Sequence, residues 1–160
     1  MNKLEELEKK YKELGEEIER LKAQSGGRCR GDFGCEYWYI DDDGDIQSDD
    51  DNDWGCDEYR FNIGNYFKTE DEAYKVLDKI LIYNKLRDLA LRLNKGEQLN
   101  WSSGNQKKFY IYYDNQAKRL DYGYHSTYQD IAAIYCIDPE FLEIATNEIG
   151  EEDLMKLFEE

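Results

Sequence analysis

Leu4, Leu7, Tyr11, Leu14, Ile18 and Leu21 recur at spacings of 3, 4, 3, 4 and 3, and Glu, Lys and Arg fill most of the positions between them. This is an a/d seam, and it predicts a helix of about three heptads over residues 2–24. Glu5 with Lys9, Glu6 with Lys10 and Glu8 with Lys12 stand in the favourable i,i+4 order, and Gly15 is the weak point of the helix interior. A stripe of two residues in seven is narrower than an ordinary docking face, so residues 1–25 are expected to join two chains as a coiled-coil homodimer. The alternative is an amphipathic helix lying on the chain's own domain. Three heptads alone are marginal in water, so a dimer would need further contacts. Ser25-Gly26-Gly27 stops the helix and opens a glycine-rich linker, residues 26–35.

From Glu36 the apolar positions change period. Glu36-Tyr37-Trp38-Tyr39-Ile40 reads as a strand, Asp41-Asp42-Asp43-Gly44 as a turn, and Asp45–Ser48 as a short return strand. Tyr59–Phe67 reads as a third strand. Thr69 with Glu72 is a capping box, and it opens a helix through Leu77, Leu81, Leu86 and Leu93 to about Gly96. The order then repeats. Lys108–Tyr113 and Lys118–Tyr124 form a second hairpin, Asp130–Ile137 a third strand, and Asp138-Pro139 starts a helix that Gly150 separates from a last one at Glu151–Phe158. The expected architecture is α+β: a heptad helix, then a duplicated antiparallel sheet-plus-helix unit, with copies at 36–96 and 97–160.

Charge changes the picture of the first copy. Net charge is −16, and between Gly31 and Glu58 lie twelve acidic residues and no lysine or arginine. Unpaired carboxylates are too costly to bury, so these acids are expected at a surface, interleaved with Trp38, Tyr39 and Trp54. Such a surface repels nucleic acid and membranes and attracts basic proteins. With fourteen Tyr and one Pro the chain is expected to fold despite its charge. No apolar run approaches the roughly 20 residues that span a bilayer. The N-terminus lacks a signal peptide's apolar stretch, so a cytoplasmic location is expected.

Little chemistry is legible. Asp41, Asp43 and Asp45 miss the calcium-loop register, because Gly44 falls at the fourth position and not the sixth. Cys29, Cys35, Cys56 and Cys136 have no zinc spacing, Cys136 reads as a small buried hydrophobe, and no metal or other cofactor is expected. Arg30-Gly31-Asp32 between two cysteines matches an integrin-binding tripeptide, a weak signal with nothing else pointing to secretion. The lone histidine, His125, stands in a polar stretch, and no nucleophile motif or phosphate loop is present, so no catalytic residue and no enzyme is expected. Tyr110, Tyr112, Tyr122 and Tyr124 with Lys107, Lys108, Lys118 and Arg119 resemble a base-stacking platform. Net charge opposes phosphate contact, and cross-strand pairing is the simpler use of the rings.

The aromatic strand before Asp41-Asp42-Asp43-Gly44-Asp45, then Trp54, then Gly64-Asn65-Tyr66-Phe67-Lys68-Thr69-Glu70-Asp71-Glu72-Ala73, resembles small acidic phage and prophage accessory proteins of Gram-positive bacteria. That resemblance implies a phage accessory gene in a bacterial host, of the kind that includes inhibitors of host defence such as anti-CRISPR proteins, and it carries over no site residues. The expected function is a non-enzymatic inhibitor that binds a basic, nucleic-acid-binding host protein as a nucleic-acid mimic. Asp41, Asp42, Asp43, Asp45, Asp49, Asp50, Asp51 and Asp53 would supply charge, and Trp38, Tyr39 and Trp54 would anchor it. The alternative is an oligomeric structural or adaptor protein whose acidity only provides solubility.

Overall fold

The computed structural model describes residues 9–15 and 30–159. Leu4, Leu7, Ile18 and Leu21 of the heptad stripe, and the linker as far as Cys29, lie outside them. Residues 9–15 are helical, and the two stripe residues among them, Tyr11 and Leu14, are 84 % and 62 % exposed. The chain divides into two units, Met1–Glu70 and Asp71–Glu160. The architecture is α+β, with two small antiparallel sheets of two strands each among the described residues.

In the first unit, β1 (Glu36–Ile40) pairs with β2 (Ile46–Asp50), Trp38 opposite Ser48 and Ile40 opposite Ile46. The turn forms because one Asp41 carboxylate oxygen accepts from the amides of Asp43 and Asp45, at 3.0 and 2.9 Å, and because Gly44 takes the positive φ of 85° that the turn requires. The expected third strand at Tyr59–Phe67 is not one. Gly55–Ile63 is a helix, α1, closed by Gly64 in the left-handed conformation, and only Phe67 bridges to Trp38, through two bonds of 2.8 Å. The alternation of Tyr59, Phe61 and Ile63 mimics a strand, but Tyr59 and Ile63 lie one helical turn apart and both face solvent. The side chain of Asn65 completes the edge, its oxygen accepting from Ile40 N at 2.7 Å and its amide donating to Ile40 O at 2.6 Å.

The second unit holds the larger apolar core. The helix expected to close the first copy, α2 (Glu70–Leu93), buries Ile82, Leu86, Leu89 and Ala90 in one cluster with Leu120, Cys136, Phe141, Ala145 and Leu154. The boundary therefore falls at the start of α2 and not at residue 96. β3 (Lys108–Asp114) pairs with β4 (Arg119–His125), Tyr110 opposite Gly123. The third strand expected at Asp130–Ile137 is again reduced to a single bridge, Cys136 to Phe109. Asn94, buried at the end of α2, accepts from Ile137 N at 2.9 Å and holds that segment. Two short helices follow, α3 (Phe141–Glu148) and α4 (Glu151–Lys156), with Gly150 between them at φ 101°. Asp138 accepts from Glu140 N at 2.9 Å in the turn before α3, which begins later than the sequence pattern implies.

Each outer strand turns an amide away from its partner, at the end of β2 and in the middle of β4. In β2 the Asp50 N–H donates to the carboxylate of Asp49 at 3.0 Å, and in β4 the Tyr122 N–H donates to that of Asp121 at 2.8 Å. A side chain thus takes the place of a neighbouring strand. Among the described residues no helix is long and apolar enough to cross a membrane.

Candidate protein interface on the first hairpin

The acidic residues of the first unit fall into two groups. Asp51 and Asp57, expected at the surface with the rest, are each 1 % exposed. They are tolerated inside because every one of their oxygens is satisfied. Asp51 accepts from Arg30 Nε at 2.6 Å and from Arg30 Nη2, from the Tyr66 hydroxyl at 2.9 Å, and from Asp53 N at 3.1 Å. The Arg30 guanidinium outweighs the cost of burial and holds the Asp51 carboxyl below its ordinary pKa. Arg30 also reaches Asp53 at 3.2 Å, so the arginine of the Arg30-Gly31-Asp32 tripeptide is committed to the fold and is not displayed.

Asp57 sits at the third position of α1. It accepts from Trp54 N at 3.0 Å, Asn52 N at 3.1 Å and the Tyr37 hydroxyl at 2.8 Å. Burial opposes its charge, but these donors prevail and its pKa is lowered. This is the carboxylate half of a capping box, and the acidic side chain also meets the positive end of the helix. Tyr37, fully buried, stacks on Tyr66 with centroids 4.2 Å apart. Burial, with Asp57 beside it, pushes the Tyr37 hydroxyl pKa up, against the opposing pull of Arg60.

Arg60 closes the arrangement. Its guanidinium lies 3.5 Å from the centroid of Tyr39, donates to the Tyr37 hydroxyl at 2.5 Å, and pairs with Asp49 at 3.1 Å. Of the eight aspartates expected to meet a partner, Asp51 is buried, Asp49 and Asp53 are paired with arginine, and Asp41 is used by its own turn, whose amides lower its pKa. Asp42, Asp43, Asp45 and Asp50 are exposed, and among the described residues no cation lies within 4 Å of them.

The aromatic anchors also divide. Trp38 and Tyr39 are half-buried, in the sheet and under Arg60, whereas Trp54 is 66 % exposed. The sequence reading missed Tyr59 and Ile63, exposed on α1. With Tyr39, Arg60 and the Asp41–Asp43 turn they line an open cleft of about 390 Å³. Only the recognition of α1 as a helix reveals that the two side chains share a face.

Among the described residues no three His, Cys, Asp or Glu side chains are placed to hold a metal ion. Cys136 lies in the second unit's apolar core, where burial raises its thiol pKa. His125 ends β4, 3.6 Å from Asp130 and stacked on Tyr110. No family model matches the chain, and no curated protein or solved structure matches it.

Proposed function

We propose that the chain is a non-enzymatic inhibitor of the phage accessory kind, acting in a bacterial cytoplasm on a basic, nucleic-acid-binding host protein. The observation that carries this reading is the set of Asp42, Asp43, Asp45 and Asp50, exposed and, among the described residues, without a cation within 4 Å, with Asp42 and Asp43 lining the same cleft as the exposed Tyr59 and Ile63. Carboxylates at the tip and outer edge of a hairpin can meet an Arg- or Lys-lined groove where phosphates normally lie, and the aromatic residues add desolvated contact. The interaction is direct between proteins and needs neither nucleic acid nor membrane. We read the two hairpins as copies of one unit, since each carries a single bridge from its first strand to the segment leading into the next helix.

The test is replacement of Asp42, Asp43, Asp45 and Asp50 together by Asn. Because these side chains make no hydrogen bond or ion pair among the described residues, the melting temperature should stay level or rise. Capture of a nucleic-acid-binding protein from a bacterial lysate, released by salt and by competing DNA, should fall roughly 100-fold or more. Unchanged capture would end the mimicry reading. Tyr11 and Leu14, exposed on one stripe, favour a second reading in which the chain is an oligomeric adaptor. Light scattering of the full chain against a chain beginning at Gly26 separates them: self-association without capture supports the adaptor.

A further inference from the structure

On one face of the second hairpin the rings of Tyr112, Tyr110, His125 and Tyr128 follow one another, with centroids 6.0, 4.8 and 6.3 Å apart. Gly123 makes this row possible. A Cβ there would stand 2.7 Å from the Tyr110 ring, which lies across the bare backbone and against His125. The two ends of the row are open to solvent, Tyr128 most of all at 75 % exposure. Each end has a carboxylate. Asp121 stands opposite Tyr112 across the strands, and burial together with Asp121 and Asp114 raises the Tyr112 pKa. Asp130 lies 3.6 Å from His125, the same ring that neighbours Tyr128.

What a tyrosine ring beside an aspartate holds is visible in the first hairpin, where Arg60 lies over Tyr39 and against Asp49. Tyr39 and Tyr110 are equivalent positions, since each follows the residue that makes its hairpin's bridge. At the Tyr112 end Arg119 already reaches Asp121 at 3.3 Å. At the Tyr128 end, among the described residues, no arginine or lysine pairs with Asp130.

We propose that the tyrosine row of the second hairpin is a docking surface for arginine side chains of a basic protein, with Tyr128 and Asp130 as its principal seat. A guanidinium is planar and weakly hydrated, so it can lie flat on a ring while its edge meets a carboxylate, which an ammonium does less well. A net charge of −16 admits such a cation and opposes a phosphate chain on the same rings. The inference rests on the reading that the partner is basic. It adds a second contact surface and a preference for arginine over lysine, which the acidic hairpin alone would not provide.

The experiment titrates the full chain with labelled arginine and lysine peptides of equal length at physiological salt, followed by anisotropy. The arginine peptide should bind roughly tenfold tighter. Tyr128→Ala with Asp130→Asn should bring the arginine affinity down to the lysine value and leave lysine binding within about twofold, while Tyr128→Phe, which keeps the ring, retains the preference. The Asp42, Asp43, Asp45 and Asp50 variant should weaken both peptides equally and keep their ratio. If it weakens neither, the acidic-interface reading fails, and the ratio still reports on the tyrosine row. Equal affinities for the two peptides, or a ratio that survives Tyr128→Ala with Asp130→Asn, would overturn the proposal. So would an oligothymidylate that binds the chain and is lost with those same substitutions, which would assign the row to nucleobases.

Discussion

Replacing Asp57 by Ala removes the acceptor of three strong donors at once, the Tyr37 hydroxyl and the amides of Asn52 and Trp54, and of the weaker Cys56 thiol. Each hydrogen bond to an ionised acceptor contributes about 1.5–3 kcal/mol, and the two amides, only partly buried, regain some of that from water. The loss expected is therefore about 3–5 kcal/mol, a large fraction of the 5–15 kcal/mol typical of a whole domain. In a unit of this size one kcal/mol moves the midpoint by about 4–8 °C, so its unfolding should shift down by more than about 10 °C. Asp57→Asn keeps the shape and one accepting oxygen and should lose less, about 1–2 kcal/mol. Thermal melts followed by tyrosine near-ultraviolet circular dichroism read both. The sign with pH follows from the lowered pKa of Asp57 in the folded chain. Its contribution is complete above the unfolded carboxyl value of about 3.9 and disappears as pH falls through the folded value. The gap between the native chain and Asp57→Asn should thus be widest near neutrality and close toward pH 3 and below. An Asp57→Ala chain that melts within about 2 °C of the native one would refute the assignment of this acid to the fold.

Other substitutions probe the second unit. Gly123→Ala should displace the Tyr110 ring from His125 and destabilise the unit by about 1–3 kcal/mol, whereas the same change in a Tyr110→Ala background should be nearly neutral, as urea titrations of the three variants would show. Lys108 is fully buried and its ammonium donates to the carbonyls of Asn100 and Ser126, so Lys108→Ala should lose about 2–4 kcal/mol and Lys108→Met less, measured in the same way. A strong chelator should leave the melting curve of the full chain unchanged; a fall of more than about 10 °C would mean that a metal supports the fold.

The two hairpins, the long helix and the break at Gly150 were legible because each rests on local signals: alternation, turn residues and apolar periodicity. Two failures share one cause. Tyr59–Phe67 has the β-formers and the alternation of a strand, and nothing local announces that Asp57 will cap a helix through it. The acidic count from Gly31 to Glu58 likewise hides its own answer, since the arginines that meet Asp51, Asp53 and Asp49 stand just outside its ends, at Arg30 and Arg60. Burial of a carboxylate is decided by donors brought from 20 or so residues away, as with Tyr37 and Asp57. A residue's type and neighbours in sequence do not carry that information. In the second unit, the pairing of Tyr110 with Gly123 became visible only once the register was fixed.

The carboxylates of Asp49 and Asp121, each holding an outward amide of its outer strand, bear on how the protein behaves when it is abundant. Two-stranded sheets with open flanks are templates on which further chains can stack into fibrils. Here one outward amide on each of these strands is already occupied by a side-chain carboxylate and is not offered to an incoming carbonyl. A chain made in large amounts within a short time gains from this colloidal protection whatever it binds. Of the two edges, β4 has the more hydrophobic side chains, so loss of the Asp121 carboxylate is where aggregation should begin.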